Sequence, residues 1–135
     1  MHRHLLEVRT AGRGLWDITG PIQAQVRTSG LTDGLCHLFC QHTSASLTIQ
    51  ENADPDVLRD LDGWMTRTVR DGDPAFRHRD EGDDDMSAHV RTALTHTSLT
   101  VPVMGGRLGL GTWQAVYLFE HRTAPHTRKV VISVV

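Results

Sequence analysis

Aromatic residues are scarce in this chain, 5% of 135 residues, and cysteine is scarcer still, with two. If residues 35–42 form a strand, Cys36 and Cys40 lie on one face, about 13 Å apart at ~3.3 Å per residue. A disulfide needs Cα atoms within about 7 Å. The pair therefore reads as two buried thiols, which predicts a reducing cytoplasm. Long apolar runs are missing as well. None approaches the roughly 18–20 residues of a membrane span, and MHRHLLEVRT lacks the apolar run of a signal peptide. There is no excess of one charge: 14 Lys and Arg face 16 Asp and Glu, a formal net charge of −2. Without a basic cluster, nucleic acid is not an expected partner.

The composition is otherwise that of an ordinary globular protein, 39% hydrophobic and 22% charged. Its length predicts one domain, 1–135, with a core that needs no disulfides. Leu6 and Val8 share a face of a first strand, and GLWDIT (14–19) reads as a second. TGPIQAQVRTSG suits a short helix, with Pro21 in its first turn, Ile22 and Val26 four apart, and Gly30 at its end. The rival is a strand with Ile22, Ala24 and Val26 alternating. In 34–42, Cys36, Leu38, Cys40 and His42 share one face, while Leu35, His37, Phe39 and Gln41 share the other. SLTIQ (46–50) is a further strand. The best helix spans 53–72, with Asp54 as N-cap and Pro55 first, and an apolar stripe of Val57, Leu58, Leu61, Trp64, Met65 and Val69.

Residues 72–85 are polar and irregular, and a connection this long is often functional or disordered. MSAHVRTAL follows as a short helix with Asp85 as its expected cap. Gly105-Gly106 marks a hairpin turn. TWQAVYLFE (112–120) is apolar on both faces, as a central strand should be, and 128–135 looks buried too. Helices and strands do not alternate regularly. The expected fold is therefore α+β, with seven or eight strands and two or three helices.

Nine histidines are the conspicuous surplus. His2 and His4 read as terminal and solvated, His37 as structural or surface, and His96, His121 and His126 as surface residues. His42, His78 and His89 remain. Three converging imidazoles would hold a metal with an open position, although their spacing is not itself a motif. The run Asp80, Glu81, Asp83, Asp84, Asp85 reads as a solvated face or as a rim that attracts or binds a hard cation through carboxylate oxygens. Glu120 ends an apolar strand, where a carboxylate is costly unless paired. It could act as a base, or it could pair with Arg122 or Lys129 at the strand end. Thr43, Ser44 and Ser46 could line a pocket. No G-x-S-x-G elbow supports a serine hydrolase.

Taken together, HTSASLTIQENADPDV, FRHRDEGDDDMSAHV, SLTVPVMGGRLGLGTWQAVYLFEHR and RKVVISVV closely resemble the YjbQ family, described as secondary thiamine-phosphate synthases. The likeness runs from about Asp17 to the C-terminus. It implies two packed, mainly antiparallel sheets with helices, a homotrimer, and a histidine-rich metal pocket. By position it implies His42, His78 and His89 as ligands of a divalent ion, zinc first and magnesium as the alternative. Glu120 and His42 would be the catalytic groups, with Thr43, Ser44 and Asp83 to Asp85 around the bound groups. The implied reaction couples a pyrimidine diphosphate to a thiazole phosphate and releases pyrophosphate; "secondary" marks it as a potential side activity on another phosphorylated metabolite's site. The alternatives are a binding protein for a metal or phosphometabolite, and a metal-dependent hydrolase. Gln50 and Phe76 depart from the family's usual asparagine and tyrosine.

Overall fold

A computed structural model describes all residues from Met1 to Val135. Chain order is β1 (His2–Thr10), β2 (Gly14–Asp17), α1 (Thr19–Ser29), β3 (Asp33–Cys40), β4 (Ala45–Glu51), α2 (Pro55–Thr68), α3 (Asp83–Leu94), β5 (Ser98–Met104), β6 (Arg107–Leu108), β7 (Gln114–Glu120) and β8 (His126–Val134). The strands form a five-stranded sheet, β1-β8-β3-β5-β6, and a three-stranded sheet, β2-β7-β4. Every pairing is antiparallel. The protein is α+β, and TGPIQAQVRTSG forms the helix rather than the rival strand. No helix is long and apolar enough to cross a membrane.

Period-two patterning explains the core. Cys36, Leu38 and Cys40 of β3, and Val130, Ile132 and Val134 of β8, are all fully or almost fully buried. They meet Leu47 of β4, Val116 and Leu118 of β7, and Ile22 and Val26 of α1. β7 lies between β2 and β4, as its two-sided apolarity predicts, and β8 lies between β1 and β3 with alternate residues buried. Helices α2 and α3 bring Met65 and Val90 against Phe119, on the other face of the small sheet. Both cysteines are free.

Local chemistry sets the boundaries. Asp54 caps α2 by accepting from the Asp56 backbone nitrogen at 2.9 Å, and Pro55 takes the first turn. Glu51 Oε2 accepts from Ala53 N, while the Asn52 amide donates to Thr112 O and Gln114 O. That pair orders the crossing from β4 into α2. Two expectations need correction. Trp64 is 51% exposed, so the α2 stripe is only partly covered. Helix α3 starts at Asp83, not after Asp85, with Gly82 at the N-cap position at φ 102°. Asp85 is thereby freed from capping.

Strand β3 also depends on a close approach. A β-carbon on Gly34 would lie 2.3 Å from the carbonyl oxygen of Val135, which accepts from Leu35 N. We expect Gly34→Ala to lower stability by about 1–3 kcal/mol, the usual cost of overpacking, read as a lower urea midpoint with an unchanged m-value.

Candidate metal centre and the buried polar chain beside it

The long connection 72–82 and the first turns of α3 bring His78, Asp85 and His89 together. His89 lies one helical turn beyond Asp85, on the same face. His78 Nε2 is 2.6 Å and His89 Nε2 is 3.2 Å from the same Asp85 oxygen, Oδ2. The three ligand atoms lie within 4.8 Å of one another. The two rings meet edge to face, 5.5 Å apart. Asp85 is 5% exposed, whereas the histidine side chains are 42% and 35% exposed. The group is therefore anchored on its protein side and open on the other. Phe76, Arg79, Asp83 and Met86 join His78 around the adjoining pocket.

Arg122 holds Asp85 in place. Its Nη1 donates to Asp85 Oδ1 at 2.8 Å and its Nε donates to Asp84 Oδ2 at 3.1 Å. This leaves Asp85 Oδ2 facing the histidines. Burial opposes the Asp85 charge, but the His78 hydrogen bond and Arg122 outweigh it and keep the carboxyl below its ordinary range. Asp84 is consumed structurally, since Thr123 N and Oγ1 also donate to its Oδ2. Burial opposes its charge too, yet the Thr123 and Arg122 contacts pull its pKa to about 2. Asp83 is exposed. The three consecutive aspartates point in different directions around a helix turn and do not form one oxygen cage.

His42 does not join His78 and His89 within the chain. It lies past the end of β3, with Nε2 2.7 Å from the Lys129 backbone nitrogen. Thr43 flanks it in a shallow groove that Phe39 also lines. Ser44 contributes its carbonyl oxygen, which accepts from Arg128 Nη2 and His121 N.

Glu120 is fully buried and every donor around it is committed. Oε1 accepts from Thr10 Oγ1 and Arg128 Nε, both at 2.7 Å. Oε2 accepts from Arg128 Nη2 and from the backbone nitrogens of His121 and Arg122. Five donors saturate a carboxylate's roughly four lone pairs. Burial alone would raise its pKa, but Arg128 and Thr10 overcome that and lower it. Glu120 thus ties the small sheet to Arg128 on the large one, and it has no free lone pair with which to take a substrate proton. Its partner is Arg128, not the Arg122 side chain or Lys129.

His121 departs furthest from expectation. It is fully buried, not a surface residue. It packs against Phe119 at a tilt of 42° with ring centroids 4.5 Å apart, and its Nε2 lies 2.8 Å from Ser46 Oγ. The parity that His121, one residue past the end of β7, shares with Phe119 was the available signal. Burial first, and Arg91 second, drive its pKa from 6.5 down to about 3. Its folded pKa is depressed, so the stability it contributes is complete above pH 6.5 and is lost as pH falls toward 3. At 1.36 kcal/mol per pH unit the full loss is roughly 4–5 kcal/mol. Asp84 adds a loss below about pH 4. We expect the urea midpoint to fall through this acid range, with a shallower pH slope in His121→Asn.

These features define a two-sheet α+β domain with an open histidine-carboxylate group at the mouth of a helix. A profile described as "UPF0047 protein YjbQ-like" matches residues 4–135, and the chain belongs to that family. It is 52% identical over 133 residues to a UPF0047 protein of Synechocystis sp., covering 98% of this chain and 90% of the relative. It is 38% identical over 133 residues to UPF0047 protein YjbQ of Escherichia coli O157:H7, covering 98% and 96%. The fold also matches the crystal structure of a conserved hypothetical protein from Thermus thermophilus, with TM-score 0.88, 39% identity and coverage of 98% and 99%.

Proposed function

We propose that this protein is a metal-dependent enzyme acting on a small phosphorylated metabolite, with the ion held by His78, Asp85 and His89. The observation that carries this is the convergence of two imidazole nitrogens on one buried carboxylate oxygen. Tetrahedral ligands about 2.0–2.1 Å from zinc stand about 3.3 Å apart. Contacts of 2.6 and 3.2 Å need only slight opening to reach that spacing. Two nitrogens and one oxygen suit zinc better than magnesium, which prefers six oxygens. When bound, such an ion would supply Lewis acidity to a phosphate oxygen.

The remaining work falls to the chain's own groups. Asp85, held by Arg122, orients the two imidazoles. Phe76 and Met86 offer apolar surface beside the ligands. The reaction we propose is coupling of a pyrimidine diphosphate to a thiazole phosphate with release of pyrophosphate, whether as the main activity or as a side activity. Its test is pyrophosphate release by zinc-loaded protein supplied with both substrates. Turnover should vanish in His89→Ala and persist in His126→Ala. Tight binding without turnover would instead indicate a binding protein. Hydrolysis of nitrophenyl esters or phosphates would indicate a hydrolase.

We further propose a cytoplasmic homotrimer. Leu5 and Phe39 flank Val131 in one register across the outer face of the large sheet, and both are more than 40% exposed. Covering such apolar surface is a common reason for self-association. The free buried thiols fit a reducing compartment. Sedimentation giving a monomer at micromolar concentration would contradict the trimer.

A further inference from the structure

His42 carries hydrogen-bonding capacity that the metal centre does not use. The Lys129 backbone N–H can only donate, so the His42 Nε2 that faces it at 2.7 Å is an acceptor. A ring that accepts at Nε2 is neutral and bears its one proton on Nδ1. Burial, and then Arg128, lower the His42 pKa and favour that neutral form. Nδ1 faces Arg128 Nη1 at 3.4 Å. With the proton on Nδ1, both atoms are donors, and the contact is not a hydrogen bond.

The other Arg128 hydrogens are assigned. Nε donates to Glu120 Oε1, and Nη2 donates to Glu120 Oε2 and Ser44 O. The two N–H bonds of Nη1 and the one on His42 Nδ1 are left without an acceptor. His42 lines a shallow groove with Phe39, Gln41, Thr43 and Thr97, and Arg128 Nη1 stands 3.4 Å from its Nδ1. Arg128 is 5% exposed and pinned by a fully buried carboxylate. It is a built donor, not a mobile surface cation. Lys129 adds positive charge near His42.

We propose that His42 Nδ1–H and Arg128 Nη1 together clamp an oxyanion, a phosphate or carboxylate group of a small molecule lying in this groove. The oxyanion would accept from both donors and relieve their mutual repulsion. Charge-assisted hydrogen bonds of this kind are the stronger ones. His42 then acts as an anion donor rather than a metal ligand, because its only lone pair is already committed to Lys129 N–H. Preference for phosphate rests on the function proposed above; the clamp itself requires no metal.

The test is imidazole ¹H–¹⁵N NMR on the full-length chain. The expected His42 tautomer carries its proton on Nδ1. Inorganic phosphate or acetate should shift that resonance saturably, in zinc-loaded and in chelator-treated protein alike. A response to phosphate alone assigns a phosphate ligand, and a response to acetate alone assigns a carboxylate; both support the clamp. His42→Phe, which spares the Glu120–Arg128 pair, should weaken anion binding by about tenfold or more, the loss of one hydrogen bond to a charged group. A proton on Nε2, no saturable shift with either anion, or zinc shifting His42 in place of His78 and His89 would overturn it. If zinc shifts no histidine but phosphate still shifts His42, the metal reading fails while the clamp stands.

Discussion

Glu120→Ala is expected to cost about 3–5 kcal/mol of folding stability. The substitution removes the only carboxylate facing Arg128, whose guanidinium is 5% exposed. It also strands the backbone nitrogen of Arg122 and leaves Thr10 Oγ1 and His121 N with only their longer contacts to His126 O and Ser44 O. A buried charge without its partner is far more costly than the pair is beneficial. Replacing both members with apolar residues should therefore recover much of the loss. Urea denaturation of Glu120→Ala and of Glu120→Leu with Arg128→Met measures both quantities. If the single variant unfolds within about 1 kcal/mol of the wild type, well under the cost of an unpaired buried charge, Glu120 is not the bolt between the sheets.

The second large effect concerns the histidine-carboxylate group. Asp85→Ala should weaken zinc binding by at least ~100-fold, because it removes the one buried ligand and leaves two partly exposed imidazoles. Arg122→Gln should weaken it by roughly 10–100-fold, the usual range for a residue that orients a ligand without touching the ion. Arg122 also braces Asp84 and the Glu81 carbonyl. Its variant therefore needs a thermal melt alongside the zinc titration. Loss of affinity with a preserved melting transition identifies positioning; loss of both identifies general loosening of the 81–85 turn.

Much of this architecture was legible because each residue's parity or punctuation pointed one way. Cys36, Leu38 and Cys40 had to face inward together, and Asp54-Pro55 could only begin a helix. Gly105-Gly106 gives the turn between β5 and β6. Arg128 was readable in principle, since it shares parity with Val130, Ile132 and Val134. Its burial needed the further knowledge that Glu120 waits on the facing sheet. The histidine grouping was only partly legible. His78 and His89 come together because α3 starts before Asp85, a boundary set by Gly82 and by Asp84 docking on Arg122 and Thr123. His42 shares the inward parity of β3, but parity alone does not say what it meets. The register of β8 instead delivers the Lys129 N–H to its Nε2. No local pattern announces a contact between residues so far apart in the chain.

Zinc stoichiometry in four proteins decides whether His78 and His89 hold the ion and His42 does not: wild type, His78→Ala, His89→Ala and His42→Ala. One zinc per chain is expected in the wild type and in His42→Ala, and none in the other two. Zinc retained by both His78→Ala and His89→Ala, or lost on His42→Ala alone, would contradict that assignment.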